Sequence, residues 1–60
     1  MSWKIISEKL EEYKYKVMLK DSFGENVETY IVENINQRTS VTKSLAMKYS
    51  HLIVKIEHHE

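Results

Sequence analysis

Residues 13–33 read YKYKVMLKDSFGENVETYIVE, and their interpretation decides the fold. From Tyr13 to Lys20 the side chains alternate. Tyr13, Tyr15, Val17 and Leu19 fall on one side; Lys14, Lys16, Met18 and Lys20 fall on the other. A period of two marks a strand with one buried and one wet face. Asp21 to Asn26 holds the chain's single glycine, Gly24, which reaches positive φ without a Cβ penalty. The spacing predicts a hairpin closed by a loop with a bulge, or by a turn followed by a left-handed residue.

The second arm breaks the alternation. Val27, Thr29 and Ile31 share one face, and Tyr30 and Val32 share the other. A strand apolar on both sides belongs where both sides are covered. One helix covers only one face, so the other needs the N-terminal segment or another molecule. Lys14, Lys16 and Lys20 are expected opposite Glu28 and Glu33, each cross-strand pair contributing roughly 0.2–1 kcal/mol.

After the hairpin, a helix is expected from about residue 36 to 50. Asn36, Thr39 and Ser40 are its candidate caps, and Val41, Leu45, Tyr49 and Leu52 form its inward stripe beside Ala46. No proline or glycine ends it, so tertiary contacts must. Residues 52–57, LIVKIE, are rich in β-branched side chains and read as a short last strand, pairing parallel to a neighbour through the helical crossover. His58, His59 and Glu60 read as a polar tail. Before the hairpin, Ser7–Glu12 reads as helix, with Trp3, Ile6, Leu10 and Tyr13 on one stripe. Trp3–Ile6 stays open between helix and a third antiparallel strand. The class is α+β: a small sheet built on the hairpin (13–20 and 27–33), one main helix, a short last strand, and an N-terminal segment that is helix or extra strand.

Sixty residues make a single small domain, residues 1–60. Such a chain buries only about 60% of its unfolded surface. With no cysteine there is no disulfide and no thiolate metal site, so packing or association must supply the stability. The absence suits a reducing compartment. Nine basic residues balance nine acidic ones, which argues against a protein built mainly to grip phosphates. Zero net charge also eases self-association. No apolar run approaches the roughly 20 residues of a membrane span, and no apolar segment follows Met1-Ser2-Trp3-Lys4 as in a secretory signal. A cytoplasmic protein without membrane contact is expected.

Chemistry-bearing motifs are sparse. A single glycine excludes both a nucleophile elbow and a phosphate-cradling loop. The carboxylates Glu8, Glu11 and Glu12 are most simply a solvated face. No catalytic residue and no cofactor is assigned, and the chain is read as non-enzymatic. His51, His58 and His59, with Glu57 and Glu60, carry metal-ligand chemistry. Adjacent histidines on an extended chain point to opposite sides, however, so no metal site is assigned. Whether His58 and His59 have a role stays open.

Binding is the expected function. Trp3, Met18, Phe23 and Tyr30 are large apolar groups without an assured place in so small a core, and such groups are enriched at interfaces. They are the candidate partner-binding residues, the partner being another protein or a second copy of the chain in a homodimer. The alternative is a small RNA- or DNA-binding regulator using Tyr13, Lys14, Tyr15, Lys16, Arg38 and Lys43. Alternation puts its tyrosines and lysines on opposite faces, whereas a stacking platform needs them together.

The order hairpin, helix, short strand over residues 13–57 resembles small accessory proteins of T-even-type phages, such as the Dmd-type antitoxins. The Lys-, Glu-, Ile- and Tyr-rich composition suits an AT-rich phage genome. The resemblance rests on element order, shares no motif, and transfers no residue role. It implies an inhibitor that acts by binding a partner protein.

Overall fold

The computed structural model describes residues 2–59. It contains strands β1 (Trp3–Glu11), β2 (Lys14–Lys20) and β3 (Asn26–Val32), helix α1 (Ile35–Lys48) and strand β4 (Val54–His59). One four-stranded sheet has the order β3-β2-β1-β4. β2 is antiparallel to both β1 and β3, and β4 is parallel to β1. The molecule is thus α+β, with the hairpin, helix and short last strand in the expected order. The helix carries the chain from one sheet edge to the other.

The N-terminal segment corrects the helical expectation for Ser7–Glu12. It is a nine-residue strand in the interior of the sheet. Ile5 pairs with both Leu19 and Ile56, and Ser7 with both Val17 and His58. These partners come from residues 17–19 on one side and 56–58 on the other, so pairing overrides the helix preference of Glu8, Lys9 and Leu10. Register shifts between Lys9 and Glu11, and the chain turns back through Glu12 and Tyr13. Tyr13 therefore sits in an exposed turn, off the stripe that was expected to carry it inward.

Pairing assigns the two faces of the sheet. Side by side on one face lie Glu28, Leu19, Ile5 and Ile56, then Tyr30, Val17, Ser7 and His58, then Val32 with Tyr15. The helix packs on this face. Ile5, Tyr15, Val17, Leu19 and Val32 are buried with Leu45 of α1, and Val41, Ala46 and Tyr49 close around them. Each fully buried aliphatic group contributes about 1.5–3 kcal/mol of transfer free energy. The other face carries Asn26, Lys20, Lys4 and Lys55, then Thr29, Met18, Ile6 and Glu57, then Ile31, Lys16, Glu8 and His59. Because the N-terminal segment lies within the sheet, none of the described residues covers this second face. Among the described residues, no helix is long and apolar enough to cross a membrane.

Glu28 faces the helix, opposite Leu19, and not the lysines of β2 as expected. A register shift between Leu19 and Lys20 moves it there. The helix begins at Ile35, one residue before the expected start. Its cap is Asn34, whose Oδ1 accepts from the Gln37 N–H at 2.8 Å, and not Asn36, Thr39 or Ser40. It ends at Lys48. Tyr49 supplies the tertiary stop: its ring lies 5.6 Å from that of Trp3. Leu52 falls beyond the helix, in the turn leading to β4. β4 runs two residues further than expected, so His58 and His59 are strand and not tail. Glu60 lies outside the described residues.

The hairpin loop is fastened by Asp21. Its Oδ1 accepts from the N–H groups of Phe23 and Glu25, at 2.8 and 3.0 Å, and its carbonyl accepts from Gly24 N–H. Gly24 has φ 84°, as the turn chemistry required, and open space where a Cβ would stand. Gly24→Ala should therefore cost about 1 kcal/mol through backbone strain alone. Urea titration should show a lower midpoint with an unchanged slope; an unchanged midpoint would contradict the strain. The Thr42 hydroxyl on α1 is buried with no hydrogen-bond partner. Thr42→Val should raise stability by about 1 kcal/mol, since an unsatisfied buried polar group costs about 1–3 kcal/mol; a lowered melting temperature would contradict this.

Candidate functional site

The hairpin arm β3 and the loop before it form the candidate site. β3 is an edge strand. Its only charged residue is Glu28, and Val27, Tyr30 and Ile31 are all exposed. Above it, between β3 and the helix, lies a groove of about 270 Å³ lined by Glu28, Tyr30, Ser40, Val41, Ser44, Leu45 and Lys48. That is just below the roughly 300–1,000 Å³ typical of small-molecule sites.

Glu28 closes one end of the groove as a clasp between sheet and helix. One carboxylate oxygen accepts from the Tyr30 hydroxyl on the same strand. The other accepts from the Tyr49 hydroxyl and from Lys48 Nζ at 3.0 Å. The Tyr30 bond, then those from Tyr49 and Lys48, hold the carboxyl well below the usual carboxylate range, at about 2. The same bonds push the two phenols and the ammonium up. A general acid or base works best with a pKa near the operating pH, and these shifts all move away from neutrality. The cluster ties β3 to the end of α1.

A second polar contact has the composition of a nucleophile and its base. Ser7 Oγ and His58 Nδ1 share a hydrogen bond across the β1–β4 pair. Ser7 is only 1% exposed, so no substrate carbonyl can reach its oxygen. The pair pins β4 to β1. His59 lies on the opposite face, as adjacent residues of a strand must, with Nε2 4.0 Å from Glu57. Among the described residues no group of three His, Cys, Asp or Glu side chains is placed to hold a metal ion.

The four expected partner-binding residues separate into two pairs. Phe23 stands at the hairpin tip, 80% exposed, and Tyr30 lies on the neighbouring edge strand, 42% exposed. Trp3 is half-buried against Tyr49. Met18 is 6% exposed, between Ile6 and Thr29 on the helix-free face. The expected nucleic-acid residues do not converge. Tyr15 is buried in the core with the Arg38 guanidinium 5.1 Å from its ring centroid. Lys16 lies on the opposite face, Tyr13 and Lys14 are at the far turn, and Lys43 is on the helix.

Three features escaped the sequence. Ile31 adds exposed apolar surface beside Tyr30; the two-sided apolar pattern of residues 27–32 was its signal. Met47 and Ile53 are highly exposed near the helix end and the start of β4, and no local pattern marked them. Lys20, Lys4 and Lys55 stand in one row across three strands. That row depends on the β1–β4 register, which no local signal carries. No family model, curated protein or solved structure matches the chain.

The clasp has a pH signature. A carboxylate whose folded pKa is depressed stabilises the fold fully above its unfolded pKa, about 4.3. That contribution is lost as pH falls toward about 2. Stability should thus decline between roughly pH 4.5 and 2, and Glu28→Gln should flatten part of the decline. Parallel melting curves for the two proteins throughout that window would remove Glu28 from this role.

Proposed function

We propose that the protein is a non-enzymatic docking module whose working surface is the β2–β3 hairpin. The observation that carries the reading is the edge strand β3. Beyond the register shift near Val27 it exposes apolar side chains along a free row of backbone donors and acceptors, with no lysine or proline to guard it. Natural sheets blunt such edges with charge, bulges or cover, because an open edge is a template for another chain. At β4, the other edge, Lys55, Glu57, His58 and His59 supply polar groups. The Asp21 fastening supports the same reading. It holds the loop that displays Phe23 in one geometry before any partner arrives, which lowers the ordering cost of binding. An inhibitor that masks a partner's surface, as the resemblance to phage antitoxins implied, would act through such a face.

A second reading is favoured by one observation. Lys20, Lys4 and Lys55 are adjacent on the helix-free face, and like charges directly opposed across strands are destabilising. A bound polyanion would relieve that repulsion. Lys4 is partly compensated by Glu57 at 3.5 Å, and the chain's net charge is zero, so docking by the hairpin takes precedence.

A photo-crosslinking residue placed at Phe23 or at Ile31 tests the reading. Both positions should give a protein adduct of defined mass that survives nuclease treatment and raised salt. The same residue at Lys43, on the helix, should give none. Absence of an adduct at both hairpin positions would overturn the docking reading. Binding of single-stranded nucleic acid that collapses as salt rises and is lost in Lys20→Glu would favour the polyanion reading.

A further inference from the structure

We infer that the occupant of the β3 edge is a second copy of this chain, with the two β3 strands pairing antiparallel about a two-fold axis through Thr29. The inference rests on the docking reading and names the partner of the same edge. Thr29 is the midpoint of β3, Asn26–Val32, so this axis overlaps the two strands, with the register shift near Val27 falling toward the ends of the paired stretch. Two-fold pairing requires a surface that complements itself. With Thr29 opposite Thr29, Val27 faces Ile31 of the second copy, and Ile31 faces Val27. On the helix side Glu28 faces Tyr30 of the second copy and never another Glu28. The one charge on the strand thus meets a hydroxyl-bearing ring, and no like charges are brought together. The carboxylate is already satisfied by Tyr30, Tyr49 and Lys48, so it does not repel an incoming strand as a free edge charge would. A net charge of zero leaves no long-range repulsion between copies.

Size points the same way. A stable interface buries about 800 Å² per partner, roughly a fifth of the 4246 Å² that the protein exposes. A strand edge alone is narrower than that. The groove above β3 widens it, because Tyr30 and Glu28 of the second copy approach on the helix side, beside Ser40, Val41 and Ser44. A volume of about 270 Å³ suits a side chain better than a small-molecule ligand. The β4 edge is more polar: Lys55, Glu57, His58 and His59 would all lose water on pairing, whereas β3 brings one charge that is already hydrogen-bonded.

The chain has no cysteine, so single cysteines report proximity directly. In either type of antiparallel pair the two Thr29 Cα atoms would stand about 4.5–5.5 Å apart, within disulfide reach. Thr29→Cys should oxidise rapidly to a covalent dimer, while Lys55→Cys on β4 should not. Sedimentation equilibrium of the unmodified protein should show a monomer–dimer equilibrium. Ile31→Lys, at a position already 55% exposed, should weaken it at least about tenfold. Circular dichroism should show that this variant keeps its fold, and Ile56→Lys on β4 should leave the dimer intact. A strict monomer at high concentration would overturn the inference. So would a dimer that ignores Ile31→Lys and cross-links as well through Lys55→Cys. If the chain is monomeric but the photo-crosslinker at Phe23 or Ile31 still captures another protein, the second copy is ruled out and the docking reading stands. If neither self-association nor an adduct is found, both fall.

Discussion

Among the described residues, one helix is all the cover this sheet has. Four strands at about 4.8 Å spacing make a layer nearly 20 Å wide. A helix with its side chains is roughly 10–12 Å across. It can bury about half of one face and none of the other. The chain places α1 against β1, β2 and β3, where Leu45 shares one buried cluster with Ile5, Val17 and Leu19. What lies beyond the helix follows from that limit. Ile56 faces the helix side from β4 yet stays exposed, and the entire opposite face depends on its own side chains to exclude water. Met18 achieves this between Ile6 and Thr29, with Lys16 and Lys20 on the same face. Their apolar stems can lie along such a surface while the ammonium groups stay wet.

A core this small needs fasteners. Leu45 is the one fully apolar side chain that the helix buries, so helix and sheet are joined by polar contacts at the margins. Glu28 takes hydrogen bonds from Tyr49 and Lys48 on the helix side and from Tyr30 on its own strand. The Trp3 ring meets Tyr49, and the Arg38 guanidinium covers Tyr15. Tyr49 is the centre of this arrangement. It ends the helix, seats the start of β1 and reaches the edge strand, three tasks for one residue just past the last helical turn. The same contacts consume the single charge of β3. The interaction that secures the helix also leaves the sheet edge electrostatically bare.

The hairpin could be read from the chain because its signals are local. Tyr15, Val17 and Leu19 alternate with Lys16 and Lys20, Gly24 marks the left-handed turn residue, and Asp21 sits where its carboxylate can cap the loop. The first strand could not be read so directly. Trp3, Ile6 and Leu10 fit a helical stripe, and Trp3, Ile5 and Ser7 fit a strand face only if a serine is accepted as an inward residue. Ser7 is buried because His58 supplies its hydrogen bond from 51 residues away, a contact with no local trace. Glu28 was assigned to the lysine face because one residue of register shift, between Leu19 and Lys20, exchanges the faces of a strand. Of the candidate site, Phe23 and Tyr30 were visible as large side chains without a place in the core. Met18 and Trp3 met the same description and found cover in register neighbours that periodicity does not show.

The bareness of β3 is not imposed by the fold. Val32 must be apolar, because it is buried where the strand leads into the helix. Tyr30 bonds the clasp. Thr29 and Ile31 serve neither purpose: both point away from the helix, and both are exposed. A lysine at Ile31 would stand opposite Lys16, a like-charge pair that Glu8 in the same row partly offsets, on a position already exposed to solvent. The same face already holds lysines, Lys16 in this row and Lys20, Lys4 and Lys55 in another, so the sheet accommodates such groups. Packing within the chain therefore leaves the choice at Ile31 open, and an unguarded edge strand with an apolar side chain at that position is what a partner strand needs. That open choice is the feature on which the proposed docking rests.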